Sequence, residues 1–358
     1  MRTVLLGCGH IGQTIARLLA ECGEGRDYNV TIADHDAAAL QAIADVHAEK
    51  AVVDSSDPQA LAALLQRADV VINALPYHMA ISVATVARQT GTHYFDLTED
   101  VQATRAIAAL AEGAPCAFMP QCGLAPGFIG IAAHHLAAGF DEVHEIRMRV
   151  GALPQYPTNE LKYNLTWSVD GLINEYCHPC EALRDGERVM VDPLADLEHF
   201  SLEGVEYEAF NTSGGLGSLC ETLAGKVRHL DYKSVRYPGH QQRMKFLLGD
   251  LGLRHDPALL KDILRKSVPA TLQDVVLVFV SVSGLRAGKL MQEVFTRKIV
   301  AQERAGRRES VIQTSTAAGV CAALDLFRAG RLPARGFIRQ EQISLPELLG
   351  NRFGAVYA

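Results

Sequence analysis

Apolar positions in the first 120 residues follow two rhythms: short continuous runs, and stretches where they recur every three or four residues. Residues 2–6 read as a short buried strand. Over 11–22, Ile11, Ile15, Leu18 and Leu19 share one face of a helix. A second apolar run, 29–33, ends on Asp34, and an alanine-rich helix is predicted over 36–46. A third strand, 49–53, ends on Asp54. Ser55, Ser56 and Asp57 are candidate caps for a helix over 58–67. Strand four, 69–74, runs into Asn73-Ala74-Leu75-Pro76 and a helix over 78–89. Strand five, 92–95, ends on Asp96, and a helix over 101–112 leads to strand six at 115–120. Six strands alternating with helices predict an α/β fold with a doubly wound parallel Rossmann sheet.

From residue 142 the rhythm changes. Residues 143–150 alternate apolar and polar, as in a strand with one covered face. Residues 275–282 and 290–300 read as an antiparallel pair joined through 284–288. The expected architecture is therefore a dinucleotide-binding domain from 1–140 plus 311–358, and a largely antiparallel α+β substrate and oligomerisation domain from 141–310. An apolar helix over 314–328, an extended segment over 336–343 and one or two helical turns over 345–349 are expected to pack back on the first domain.

The most informative stretch is Gly7-Cys8-Gly9-His10-Ile11-Gly12, set between the first strand and the first helix. This is G-x-G-x-x-G in the setting that gives it meaning. Gly7 permits the tight turn, Gly9 lets the backbone approach a pyrophosphate, and Gly12 allows close helix–strand packing. The helix N-terminus offers unpaired N–H groups to the phosphates. Asp34 lies where an acid that holds the adenosine ribose hydroxyls is expected. No Arg or Lys stands beside Asp34 in sequence to receive a 2′-phosphate, so NAD is expected over NADP. Asp54 is placed to accept from the adenine amine, and Asn73, Ala74, Leu75 and Pro76 to line the nicotinamide ribose. Asp96, at the end of strand five, faces the reacting end in this reading. Gly123, in Gln121-Cys122-Gly123-Leu124-Ala125-Pro126-Gly127, precedes a helix expected over 127–138 and is a candidate substrate contact.

A net charge of −7, with no basic run, argues against a nucleic-acid partner. The apolar runs are too short and interrupted to span a bilayer, so no membrane partner is expected. Residue 1 leads straight into a strand, and the expected compartment is the cytoplasm. Eight cysteines in 358 residues do not suggest a disulfide scaffold. Cys177-His178-Pro179-Cys180 lacks the second ligand pair of a metal site, and no metal is expected.

Several stretches give the chain a resemblance to the saccharopine dehydrogenase family, in particular its shorter lysine 6-dehydrogenase-like members. They are the glycine turn, Cys122 to Gly127, Tyr163-Asn164-Leu165-Thr166-Trp167-Ser168-Val169-Asp170-Gly171-Leu172, Val235-Arg236-Tyr237-Pro238-Gly239-His240 and Gly336-Phe337-Ile338-Arg339-Gln340-Glu341. The resemblance covers nearly the whole chain. It implies a nicotinamide-dependent enzyme that oxidises a C–N bond of lysine or a lysine-derived amino acid, and the chain length is closer to the lysine-type members. An opine- or homospermidine-type amine oxidoreductase and a non-catalytic redox sensor are the alternatives. A homo-oligomer is expected.

The chemistry sets its own requirements. The amine must be neutral when the hydride leaves for the nicotinamide, so a base should lie within hydrogen-bond reach. His240 and Asp96 are the candidates. A substrate carboxylate calls for an arginine, and Arg236 is the candidate. Tyr163 and Trp167 are candidates to shape a pocket around an aliphatic chain.

Overall fold

The computed structural model describes residues 1–21, 27–301, 303–304 and 306–358. The chain divides into two units, 1–128 with 313–358, and 129–312.

The first unit holds β1 (Arg2–Leu6), α1 (His10–Glu21), β2 (Asn29–Asp34), α2 (Ala37–Gln41), β3 (Glu49–Val52) and α3 (Pro58–Leu65). It continues with β4 (Val70–Asn73), α4 (Ala80–Thr90), β5 (His93–Asp96), α5 (Val101–Ala111) and β6 (Ala117–Met119). Cys22, expected at the end of the first helix, lies outside the described residues. Asp57 and Asp100 cap α3 and α5 by accepting from Gln59 N and Ala103 N. The alanine-rich segment is helical only to Gln41. Beyond it, Ala44 N bonds to Gln41 O and Val46 N to Ile43 O, so the chain tightens into turns of three. That spacing puts Leu40, Ile43 and Val46 in the core together.

The second unit starts with α6 (Phe128–Ala137) and β7 (Glu142–Pro154), then α7 (Val169–Cys177), β8 (Cys180–Arg184), β9 (Glu187–Val191), β10 (Glu198–Leu202) and β11 (Val205–Asn211). It goes on with α8 (Leu219–Leu223), β12 (Val227–Arg236), α9 (His240–Lys245), α10 (Pro257–Ser267), β13 (Asp274–Arg286), β14 (Lys289–Val300), β15 (Glu303–Arg304) and β16 (Arg307–Arg308). The chain then returns to the first unit through α11 (Val311–Arg328), β17 (Gly336–Phe337) and α12 (Leu345–Gly350).

The first unit's sheet has the order β17-β6-β5-β4-β1-β2-β3, and its neighbouring strands are parallel. This is the doubly wound arrangement, with its order reversing between β1 and β4. The carboxyl ends beside such a reversal are where ligands bind. The expected extended segment near the C-terminus is the seventh strand: Gly336 and Phe337 pair with Ala117 and Phe118. The second unit's sheet runs β10-β11-β12-β7-β13-β14, with β8 and β9 added beside β12. It is antiparallel except where β12 runs parallel to β7. Against it, Leu172, Tyr176, Met244, Leu260 and Leu264 from α7, α9 and α10 form a core with Phe210 of β11. No helix of the described residues is long and apolar enough to cross a membrane.

Candidate active site

The glycine turn separates its three glycines by their surroundings. Gly7 has φ +96°, and a Cβ there would sit 2.8 Å from Ala74 O. A Cβ on Gly12 would sit 1.9 Å from Gly7 O. Both glycines are required by the polypeptide itself. A Cβ on Gly9 would meet no protein atom within 4 Å, and its φ needs no glycine. The close approach of a pyrophosphate is the remaining reason for a glycine there. The first backbone donor with an intrahelical partner in α1 is Gln13 N, to Gly9 O at 2.9 Å. The N–H groups of His10, Ile11 and Gly12 therefore lie in the first turn, aimed along the dipole at the space over Gly9. These residues fit a dinucleotide.

Asp34 ends β2 with its side chain buried. Its Oδ2 accepts from Cys8 N at 2.7 Å and its Oδ1 from Asp36 N at 2.9 Å. The acid is thus clamped to the glycine turn; His35 Nδ1 also lies 3.0 Å from Oδ1, so Oδ2 keeps the second lone pair for a ribose hydroxyl. Sequence distance hides two cations. The sheet sets Lys50 opposite Ile32, and the charges of Arg17 and Lys50 both reach the Cys8 thiol. Asp54 lies two residues past β3, exposed, with Ser56 donating to it through N and Oγ; those bonds hold its carboxyl below the usual range.

Asn73 and Asp96 stand opposite each other at the ends of β4 and β5. Tyr94 links them: Asn73 Nδ2 donates to its hydroxyl at 3.2 Å, and the hydroxyl donates to Asp96 Oδ2 at 2.7 Å. Asn73 Oδ1 accepts from Leu75 N, which folds the Ala74-Leu75-Pro76 backbone beside Gly7. Asp96 is 1% exposed, and its Oδ1 accepts from Thr98 N and Gln121 N. Burial pushes its pKa up to about 6, against the pull of the Tyr94, Thr98 and Gln121 donors. Asp96 was expected to face the reacting end as a base; its lone pairs instead tie the loops after β5 and β6 together. Gly123 is likewise turned inward. Its N–H donates to Pro126 O, its carbonyl accepts from Phe128 N, and Gly319 of α11 packs on it. The Gly123 N–H, the group that could bind a substrate carboxylate, is already used.

In the second unit the predicted residues do come together, through one that the sequence reading passed over. Tyr176, on α7, accepts from Arg236 Nε at 2.9 Å and lies 3.1 Å from His240 Nε2. His240 Nδ1 lies 2.9 Å from Leu161 O. The carbonyl can only accept, so the proton sits on Nδ1 and the Tyr176 hydroxyl donates to Nε2. Burial and the nearby Arg236 push His240 down to about 3. It is a neutral, fully enclosed ring, and both its nitrogens are engaged. The expectation of His240 as a general base gives way to a role in holding Tyr176. Arg236 is 3% exposed, with its guanidinium 5.1 Å from the Tyr163 ring centre and 5.8 Å from that of Tyr176. Burial works against its charge, but Tyr176, Tyr163 and Glu175 outweigh it and raise its pKa. No carboxylate of the described residues makes an ion pair with it, and its Nη2 edge has no acceptor among them. Trp167 is half-buried, packs its ring against Gly171, where a Cβ would sit 2.3 Å from Cζ3, and donates to Tyr163 Oη at 2.9 Å.

Glu208 is the other residue passed over. It lies opposite Arg236 across β11 and β12, yet its carboxylate accepts from Gly239 N and Gln241 N, at 2.7 and 2.6 Å. It fixes the turn from which His240 projects. Its only sequence signal is a glutamate on the inward face of a buried strand. Cys177 ends α7 and Cys180 begins β8; both are free thiols, pushed up by burial. Among the described residues, no cluster of three His, Cys, Asp or Glu is placed to hold a metal.

Residues 3–117 match the model of the saccharopine dehydrogenase NADP binding domain, and residues 123–352 that of the saccharopine dehydrogenase C-terminal domain. The chain therefore belongs to the saccharopine dehydrogenase family, whose members are NAD(P)-binding oxidoreductases. Its fold is similar to that of the saccharopine dehydrogenase (L-Glu forming) from Saccharomyces cerevisiae, with a TM-score of 0.80, 18% identity, and 99% of this chain and 98% of that chain covered. It is also similar to the homospermidine synthase from Legionella pneumophila, solved with NAD, with a TM-score of 0.69, 12% identity, and 99% and 89% covered. At these identities the likeness is one of fold.

Proposed function

We propose that this protein is an NAD-dependent dehydrogenase that oxidises a C–N bond of lysine or of a lysine-derived amino acid such as saccharopine. The observation that supports this reading best is Arg236: a buried guanidinium, walled by Tyr163 and Tyr176, that makes no ion pair with a carboxylate of the described residues, Glu175 acting on it only from a distance. A cation taken out of water is costly unless an anion completes it, and a substrate carboxylate is that anion. Bound at the glycine turn, the nicotinamide cofactor supplies the two-electron acceptor. The chain's own residues do the rest. Gly9 and the first turn of α1 hold the pyrophosphate, Asp34 the ribose, and Arg236 the carboxylate. Tyr176 and His240 hold Arg236 in place. The homospermidine reading fits less well, because a polyamine product carries no carboxylate for Arg236.

The fold match to the yeast enzyme runs over both chains nearly end to end, so architecture does not choose between lysine and saccharopine. A panel does. Protein, NAD and each of lysine, saccharopine, an opine-type amino acid and a polyamine are mixed, and absorbance at 340 nm is followed. Turnover of roughly 1–1000 per second with lysine or saccharopine is expected. Turnover with the polyamine alone, or with none of the four, overturns the proposal.

A further inference from the structure

Removing a hydride from a carbon that bears nitrogen needs a base for the amine proton, and both residues expected to serve are closed off. Asp96 is tied to the loops after β5 and β6, and His240 has both ring nitrogens engaged. The sheet narrows the search. Asp34, at the end of β2, marks the β1-β2-β3 half as the side of the adenosine. The nicotinamide side is then the carboxyl ends of β4, β5 and β6, across the point where the strand order reverses.

Few proton-accepting side chains stand along that edge, and all but one of them are spoken for. Asp100 caps α5 by accepting from Ala103 N at 2.6 Å. The Cys122 thiol is buried, donates to Met119 O at 3.1 Å and is pushed far up by burial. Tyr77, Glu99 and Glu341 are half-buried and have partners of their own. His78 remains. The segment that carries it starts at the glycine turn, where Ala74 O lies against Gly7. Pro76 is extended, and Met79 N donates to Pro76 O, so Tyr77–Met79 form a single 3₁₀ turn that leads into α4. Ala80, Val83 and Ala84 of α4 are buried in the core, whereas His78 is exposed with Ile81 and Ser82. Its ring meets that of Tyr77 edge-on at 6.0 Å and makes no hydrogen bond or ion pair among the described residues.

We propose that His78 is the general base of this oxidation, an assignment that rests on the reading of the protein as an amino-acid dehydrogenase. Histidine is the side chain suited to exchange a proton near neutral pH. An N–H bond of the substrate ammonium breaks, its electron pair stays on nitrogen, and the proton goes to a ring nitrogen of His78. The carbon beside that nitrogen then loses hydride to the oxidised nicotinamide cofactor, and the nitrogen pair forms the C=N bond of an iminium. The exposed ring passes its proton on to water.

The test uses the full chain, NAD and the amino acid that it oxidises fastest. His78→Gln should lower kcat/KM for the amino acid by roughly 100- to 10,000-fold and should bind NADH as the parent does. His78→Ala should fall as far, and added imidazole should restore part of its turnover, which a structural defect would not allow. A second readout needs no turnover. Diethyl pyrocarbonate should modify His78 in the free protein, as read by mass spectrometry of its peptide, and NADH with the amino acid should protect it more than NADH alone. An active parent whose His78→Gln variant keeps its kcat/KM overturns the assignment of His78 and leaves the reading of the function standing. So does NADH binding lost in step with turnover, or a His78 that the amino acid fails to protect. A parent that turns over none of the four amines overturns that reading and the base with it.

Discussion

Tyr176 is the residue on which the polar chemistry of the second unit turns. Its hydroxyl is donor to a neutral His240 and acceptor from Arg236, so one phenol keeps a buried cation oriented. Arg236→Ala should lower kcat/KM for the amino acid by roughly ten- to a hundred-fold, the loss of a charge-assisted hydrogen bond at about 1.5–3 kcal/mol. NAD affinity should be unchanged. Arg236→Lys should recover only part of the loss, since an ammonium lacks the planar fork. Steady-state kinetics with a parallel melting curve checks this, and equal losses of NAD binding and turnover would assign Arg236 to structure alone. The two residues expected as bases predict opposite pH effects. His240 is pushed down to about 3, so below about 6.5 the unfolded chain binds a proton that the folded one refuses, and stability falls toward acid. Asp96 is pushed up to about 6, so between about 4 and 6 the folded chain holds a proton that the unfolded one has lost, and stability rises toward acid. The two offset each other in that window. Relative to the parent, Asp96→Asn should steepen the acid loss and His240→Gln should remove it, each by up to ~1.4 kcal/mol per pH unit. Melting curves from pH 3 to 8 check both signs. Spacing puts Arg236 and His240 in one turn, and the family resemblance adds Tyr163 as a pocket candidate. They are silent on the network between them, because Tyr176 and Glu208 come from α7 and β11 and meet the Arg236 turn only through tertiary packing.

At the scale of elements, most strands and helices of the first unit were legible because β1, β2 and β4 are largely continuous apolar runs and α2, α3 and α5 begin at the aspartate caps Asp36, Asp57 and Asp100. Ends were less so. The stretch after α2 carries alanines that suit a helix, but buries Leu40, Ile43 and Val46 at a spacing of three, and burial overrides propensity. β17 was legible only as something extended, because two residues of pairing leave no periodicity to read. The glycine turn was fully legible, and the structure sorts its parts into two kinds. Gly12→Ala drives a Cβ into Gly7 O and should cost ~1–3 kcal/mol of stability as well as nucleotide binding. Gly9→Ala meets no protein atom, so stability should change by no more than ~1 kcal/mol. Its loss should fall on the dinucleotide, about ten-fold or more in affinity. NADH fluorescence titration beside chemical denaturation separates the two. A Gly9→Ala chain that binds NADH like the parent would remove the pyrophosphate from this turn.

At the scale of the whole molecule, the nucleotide unit is built from both ends of the chain. β17 pairs with β6, Gly319 packs on Cys122 and Gly123, and Tyr357 stacks on Phe128 with ring centres 3.9 Å apart. A bound nucleotide therefore stabilises a unit that includes residues 313–358, and a chain ended at Arg335 should lose NADH binding although every residue of the glycine turn is intact. The same linkage reads out cofactor choice. At a hundred times its dissociation constant a ligand adds ~2.7 kcal/mol, which for a unit of this size raises the melting temperature by about 5–10 °C. Asp34 sets its carboxylate, fixed by the N–H groups of Cys8 and Asp36, where a 2′-phosphate would lie. Arg17 and Lys50 pull the other way, but Arg17 already pairs with Asp45 at 3.6 Å. At equal concentration NAD should raise the melting temperature more than NADP, and Asp34→Asn, which keeps an acceptor for Cys8 N and removes the charge, should narrow the gap. An equal or larger shift with NADP in the parent chain would mean that Lys50 and Arg17 decide the matter, and that the acid in the ribose position is outvoted by cations the sheet brings to it.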